Sequence, residues 1–367
     1  MKPGRITSFF AVAMAILMTC LLSESQDRRK IIIDQDAAGP AGTDQQSMLV
    51  LIQSPKTEVL GITVVTGDAW LTAEVAHTLR MLELIGRTDI PVLPGAEYPL
   101  LRTKDEMESW EQRYGTVPWL GAWTPRVYHA ARELGPMPEG KPTTKAADED
   151  AAHFLVRIVR KYPHQVTIYE GGPMTNLALA ISIDPEFPSL AKELVFMGAS
   201  LNPQTDDPEF IDTPRHEFNL WFDPEAAHIV LRAPWTRIIC TPVDISVKTR
   251  MTNQLIDQIK ASNSPAAKYI GKYAQLHGSY NYLWDELAAV AWLDPSLITT
   301  KENRYMDIDL NRGPDYGNTL IWTDIDKPKR DLPLVEVQFD LDKVKFYKLF
   351  VDLLTAPTPT AGETSTP

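Results

Sequence analysis

Short apolar runs alternate along this chain with longer stretches whose apolar residues fall three or four apart. Lys30–Ile33 carries consecutive isoleucines, the pattern of a strand buried on both faces. Asp44–Gln53 has helical spacing, Val59–Val65 is a second strand, and Leu71–Ile85 is a helix stopped by Gly86. A short strand falls within 88–95. From about 98 to 147 the pattern decays into Trp, Pro and charged residues, too long for an ordinary connection, and reads as a lid or insertion. Alternation then resumes with helix Ala151–Arg160, strand Val166–Tyr169, helix Asn176–Ile183 and strand Leu194–Met197. Helix Pro224–Leu231 and strand Arg237–Cys240 follow. Ala266–Tyr282 and Asp285–Trp292 predict helices, Val335–Phe339 a strand, and Lys343–Leu354 a closing helix. This order predicts an α/β fold, a mainly parallel central sheet flanked by helices in one domain over residues 26–354.

The two ends stand apart from that pattern. Lys2 and Arg5 precede an apolar stretch from Phe9 to Leu22, too short to span a bilayer comfortably, and Ser23–Ser25 offer a cleavage point. Residues 1–25 read as a secretory signal, which predicts a secreted or periplasmic protein without stable membrane insertion. Thr19 before Cys20 fits a lipid-anchored cysteine poorly. Cleavage moves the formal charge from −12 to about −13 and leaves Cys240 as the only cysteine, so no internal disulfide can form. Residues 355–367 are low-complexity and read as a disordered tail. The negative charge argues against nucleic-acid and anionic-membrane partners, which need basic patches.

Candidate chemistry gathers at strand ends. Asp34-Gln35-Asp36 closes the first strand and Asp44 follows a short loop. Ligands of open α/β sheets bind at that edge, and crowded aspartates there repel unless a cation or shared protons relieve them. The pattern therefore points to a carboxylate metal site. Thr66-Gly67-Asp68 follows the second strand, although Asp68 alone is also an ordinary turn residue. Gly171-Gly172 forms a tight turn that lets backbone approach a ligand. Trp284-Asp285 heads an apolar helix, where an N-cap explains Asp285 about as well as a metal role does. Glu217 and Asn219 flank Phe218 in a strand-like stretch that would point them to one side.

Six segments in order, IIIDQD, LGITVVTGD, GGPMTNLALA, FMGAS, HEFNLWFDPEAA and WDELAAVAWLDP, resemble the inosine–uridine-type nucleoside hydrolase family from about Arg29 to Leu354. The resemblance implies Ca²⁺ held by Asp36, Asp44, Asp285 and the Gly171 carbonyl, with Asp34 behind them. It further implies that Asp36 orients and deprotonates the attacking water while Glu217, Asn219 and Asn202 hold the ribose hydroxyls. Trp284 stands where many members carry a histidine. That departure, with Asp68, resembles the purine-preferring branch, in which tryptophans sandwich the base. Trp110 is the candidate for the opposite face, with Trp119 and Trp123 as rivals.

The first loop is three residues longer than the family's Asp-x-Asp-Pro-Gly-x-Asp-Asp, and Thr43 replaces the first of its closing aspartates. A secreted nucleoside-binding protein with weakened or lost catalysis is therefore the alternative. Asp34-Gln35-Asp36 also resembles the start of haloacid-dehalogenase-like phosphatases, whose downstream hydroxyl residue and lysine are not evident here. A small-molecule nucleoside is the expected partner, and a homo-oligomer is left open.

Overall fold

The computed structural model describes residues 28–124, 130–207, 210 and 216–360. The signal segment and residues 361–367 of the tail lie outside the described residues. Strand β1 (Arg29–Gln35) runs through the interior of the sheet, because Ile31 and Ile33 enter the core on one face and Ile32 enters it on the other. Each of these fully buried side chains contributes roughly 1.5–3 kcal/mol over an exposed one.

The remaining strands are β2 (Thr57–Val64), β3 (Val92–Pro94), β4 (Val166–Glu170), β5 (Glu193–Met197) and β6 (Ile238–Thr241). They are followed by β7 (Arg250–Thr252), β8 (Tyr280–Tyr282), β9 (Ile298–Ile308), β10 (Thr319–Trp322) and β11 (Leu334–Leu341). The main sheet has the order β10-β9-β11-β6-β5-β4-β1-β2-β3, parallel from β11 to β3 and antiparallel where β9 meets β11 and β10. Strands β7 and β8 form a separate antiparallel pair.

The principal helices are α1 (Thr43–Gln53), α2 (Leu71–Ile85), α3 (Lys104–Tyr114), α4 (Ala151–Lys161) and α5 (Thr175–Ile183). Beyond them come α6 (Pro224–Leu231), α7 (Asn253–Lys260), α8 (Pro265–Tyr273), α9 (Trp284–Leu293) and α10 (Lys343–Thr355). Helices α1, α2 and α7 to α10 cover one face of the sheet through Leu49, Leu82, Ile259, Ile270, Leu287 and Phe350. Helices α4, α5 and α6 cover the other through Phe154, Leu177 and Val230. The mainly parallel sheet predicted from the alternation is the one observed. Among the described residues no helix is long and apolar enough to cross a membrane.

Three expectations need correction. The helix predicted over Ala266–Tyr282 stops at Tyr273, and Tyr280–Tyr282 pairs with Arg250–Thr252 as strand β8. Gly278 at φ +91° breaks the helical path between them. The irregular segment contains α3, started by a capping box between Thr103 and Glu106. Glu217 and Asn219 do not lie on a strand: Phe218–Phe222 is a helical turn capped by the Glu217 side chain.

Candidate active site

From β1 the sheet grows through β2 and β3 to one side, and then β4 returns to the other side of β1. Such a switch point opens a ligand crevice beyond the strands' carboxyl ends. Asp34 sits opposite Glu170 in the parallel register, so the residues after β1 and the glycine turn after β4 meet there.

The backbone sets this floor tightly. A Cβ on Gly67 would stand 2.1 Å from Asp36 Oδ2, and one on Gly172 3.0 Å from Asp36 Oδ1, so neither position has room for a side chain without displacing the carboxylate. Asp36 Oδ2 accepts a hydrogen bond from the Asp68 N–H at 3.0 Å. Asp44 and Asp285 occupy the first turns of α1 and α9, where the helix N-termini favour negative charge. Their carboxyl groups meet at hydrogen-bond range. Gln35 Nε2 donates to Asp285 Oδ2 at 3.3 Å, and the Tyr169 hydroxyl donates to the Asp285 carbonyl at 2.7 Å. Asp285 lies inside its helix behind Leu283 at the N-cap, so it is not the cap itself.

Burial raises the Asp36 carboxyl well above its ordinary value, and the charges of Asp68, Asp44, Glu74 and Asp285 push in the same direction. Asp44 is raised similarly, by burial and then by Asp68 and Asp285. Asp285 is pushed up to about 7 by burial, moderated by its hydrogen bonds from Asp44 and Gln35. The charges bearing on these groups are thus those of other carboxylates. Asp285 Oδ1 is buried without a hydrogen-bond partner among the described residues.

This donor set fits a hard divalent cation: anionic oxygens from separate elements, one of them unpartnered, and none that charge pairing already satisfies. Among the described residues no three Asp, Glu, His or Cys side chains stand close enough together to hold a metal ion by themselves. Gly171 offers a further carbonyl oxygen, which accepts from Asn219 Nδ2 at 3.0 Å and keeps a second lone pair.

The other predicted residues separate. Glu217 is buried and accepts backbone N–H groups of Asn219 at 2.8 Å, Leu220 at 3.0 Å and Ala199 at 3.1 Å. Burial nevertheless pushes its carboxyl up to about 7. Asn219 is buried beside it and spans Gly171 O and Met197 O. Asn202 is exposed, its backbone N–H donating to Asp244 Oδ1 at 2.7 Å, so the structure leaves its side chain on the rim. Trp284 is half-buried against Tyr282 and Phe210, with ring centroids 4.7 and 5.3 Å away.

Trp110 is turned elsewhere: its indole N–H donates to the Gly313 carbonyl at 2.9 Å, and it packs with Trp123 and Trp221 in a separate apolar cluster. Trp119 makes the link to the floor instead, donating to Asp68 Oδ1 at 2.5 Å. His216 lies flat on Trp221, and burial holds its imidazole down to about 3, hence neutral. The sequence reading missed Glu74, whose Oε1 accepts from Ala69 N at 2.7 Å behind the Asp68 turn. It also missed the part played by Asn176, which donates to Asp34 Oδ1 at 3.0 Å. Neither polar residue on its helix gave a signal in the sequence beyond ordinary helix composition.

Residues 31–348 match the family model described as inosine-uridine preferring nucleoside hydrolase. The chain belongs to this nucleoside hydrolase family. A probable uridine nucleosidase 2 from Arabidopsis thaliana is 30% identical over 89% of this chain and 98% of its own length. An inosine-uridine preferring nucleoside hydrolase from Leishmania major is 27% identical over 89% of this chain and 97% of its own. Among solved structures, a plant nucleoside hydrolase, PpNRh1, superposes with a TM-score of 0.73 at 25% identity, covering 90% of this chain and 99% of that one. This nucleoside hydrolase is therefore a hydrolase of N-glycosyl bonds, and its substrates are small nucleosides. The reaction needs a base for the attacking water and negative charge near a sugar that turns cationic at the transition state. Buried carboxylates stand at this edge of the sheet.

Proposed function

We propose that this nucleoside hydrolase depends on Ca²⁺, leans toward purine ribonucleosides and acts outside the cytoplasm. The observation that carries the reading is the burial of Asp36, Asp44 and Asp285 together, each bearing on another's charge. Asp36, Asp44, Asp285 and the Gly171 carbonyl would hold Ca²⁺, which would supply Lewis acidity toward water and sugar hydroxyls. Asp36, whose Oδ2 also accepts the Asp68 N–H, takes the proton from the attacking water. As the new C–O bond forms at the anomeric carbon, the C–N bond breaks and its electron pair leaves with the base. The carboxylates facing the sugar stabilise the positive charge that develops between those events.

Glu217 and Asn219 hold the sugar, with Asn202 contributing from the rim. Trp284 gives the departing base a stacking surface, and Trp119 braces Asp68. Purine preference is supported by Trp284 standing immediately before Asp285 and by the Trp119–Asp68 contact. Export is supported by Lys2, Arg5 and the apolar stretch behind them.

Purified mature protein should release base from inosine, adenosine and guanosine at a kcat/KM about tenfold above that for uridine, a difference of ~1.4 kcal/mol. Stripping divalent ions should abolish turnover, and Ca²⁺ should restore it. Turnover that survives chelation sinks the calcium reading. Tight nucleoside binding without release of base would establish the binding-protein alternative that Thr43 suggests.

A further inference from the structure

Thr43 and Glu286 carry an interaction with no counterpart in the roles assigned so far. Thr43 begins α1 and is half-buried, while Glu286 sits in the first turn of α9 and is 1% exposed. The Thr43 hydroxyl donates to Glu286 Oε2 across the helix contact. The next residue on α1 is Asp44 and the preceding one on α9 is Asp285, and those two carboxyl groups also meet. Two adjacent cross-links therefore join the same pair of helix ends, one between a hydroxyl and a carboxylate and the other between two acids.

The second of these links joins two acids and has no permanent donor. Two carboxyl groups brought together repel when both are ionised. Gln35 Nε2 reaches Asp285 Oδ2 at 3.3 Å and Ser47 Oγ, one turn into α1, at 3.5 Å, and Ser47 Oγ donates to the Asp44 carbonyl at 2.7 Å, but none of these contacts joins the first residues of the two helices directly. Thr43 and Glu286 do, with a donor on one helix and a buried acceptor on the other. A hydroxyl pairs with a carboxyl group in either protonation state of the acid.

We infer that the Thr43–Glu286 pair is a positioning device which sets the spacing of Asp44 and Asp285, and that Glu286 is the carboxylate accompanying the threonine at position 43. The inference rests on the ion site proposed above. It also reverses the simplest expectation about Thr43. An aspartate introduced there would meet Glu286 rather than complete the site, so Thr43→Asp alone damages the floor. Supplying a donor opposite, by Glu286→Gln in the same chain, restores a donor–acceptor pair with its direction reversed.

The test is a Ca²⁺ titration of the full mature chain by calorimetry or by competition with a fluorescent chelator, with thermal melts alongside. Groups that orient metal ligands typically cost about 10–100-fold in affinity when lost. Thr43→Val and Glu286→Ala should each weaken Ca²⁺ binding in that range, and Thr43→Ser should stay within about threefold of the parent. Thr43→Asp should weaken it at least as much as Thr43→Val, and the Thr43→Asp/Glu286→Gln double variant should recover to within about threefold. Should Thr43→Val unfold, the serine variant and the rescued double variant still decide the matter. Parent protein that binds no Ca²⁺ overturns the ion site and this inference together. Parent protein that binds, with Thr43→Asp unchanged or tighter, overturns the inference and leaves the ion site standing.

Discussion

The carboxylates at the bottom of the crevice and the aromatic residues above it are held by different kinds of structure. Asp36, Asp44 and Asp285 hang from a central strand end and two helix N-termini, with glycines packed against Asp36 so closely that the backbone fixes it. All three are at most 3% exposed. Above them, Trp119 comes from the segment after α3, Trp284 is half-buried, and Asn202 is exposed on a loop. Trp119 is joined to the floor through one hydrogen bond to Asp68. The residues proposed for bond cleavage thus hang from the sheet and two helix ends, and Trp284 shares one of those ends with Asp285, whereas Trp119 and Asn202 come from connecting segments that can vary with little cost to the fold. Floor substitutions should act on kcat, and rim substitutions on the choice of base.

Asp36→Asn offers the largest break. It keeps the shape that Gly67 and Gly172 enclose but removes the proton acceptor, so kcat for inosine should fall about 10³-fold. A loss under tenfold in steady-state kinetics would remove Asp36 from the role of base.

Glu217 sharpens the comparison from the edge of the floor. Its carboxyl, ordinarily near 4.5, is pushed up to about 7 by burial. Between those values the folded state holds a proton that the unfolded state has released, so its contribution to stability falls as pH rises through that window. Glu217→Gln removes the titration. It also adds a pH-independent cost, because an amide nitrogen must face one of the backbone N–H donors to this side chain. From pH 5 to pH 8 the parent should lose stability relative to the variant, on the order of 3 kcal/mol at most. Urea melts at the two pH values check this, and parallel profiles would show that Glu217 stays ionised throughout.

The same division explains what could be read without coordinates. The floor was legible because its signals are local: a run of isoleucines marks a buried strand, aspartates follow at its carboxyl end, and Gly171-Gly172 leads into a helix. The rim depends on the path of a long segment, so spacing gave no means of telling which of Trp110, Trp119 and Trp123 reaches Asp68. The Thr103/Glu106 capping box was a readable start signal for α3, but the charged sequence around it obscured the helix. Strands β9 and β10 escaped notice for a related reason. They form the antiparallel edge of the sheet, and the first eight residues of β9, ITTKENRY, are largely exposed and lack the apolar run of an interior strand.

On the rim, Trp119→Phe keeps an aromatic ring and deletes the N–H that Asp68 accepts. A hydrogen bond to a charged group contributes about 1.5–3 kcal/mol. The expected loss in kcat/KM for inosine is about tenfold, ~1.4 kcal/mol, with a smaller loss for uridine. Equal losses for both bases would make Trp119 a brace of the floor rather than a part of base selection.

Trp110→Phe should have the smallest effect, and it separates the two tryptophans most directly. Trp110 is 8% exposed, and its indole N–H is spent on the Gly313 carbonyl. Glu106 and Arg312 pair across the same contact, so α3 is fastened to the loop between β9 and β10 at more than one point. Losing the indole bond should therefore lower stability by about 1 kcal/mol and leave α3 in place. Because that bond ends on Gly313 and not on Asp68, the inosine-to-uridine ratio of kcat/KM should not change. A shift in that ratio with unchanged stability would return Trp110 to the base and move the rim's contact away from Trp119.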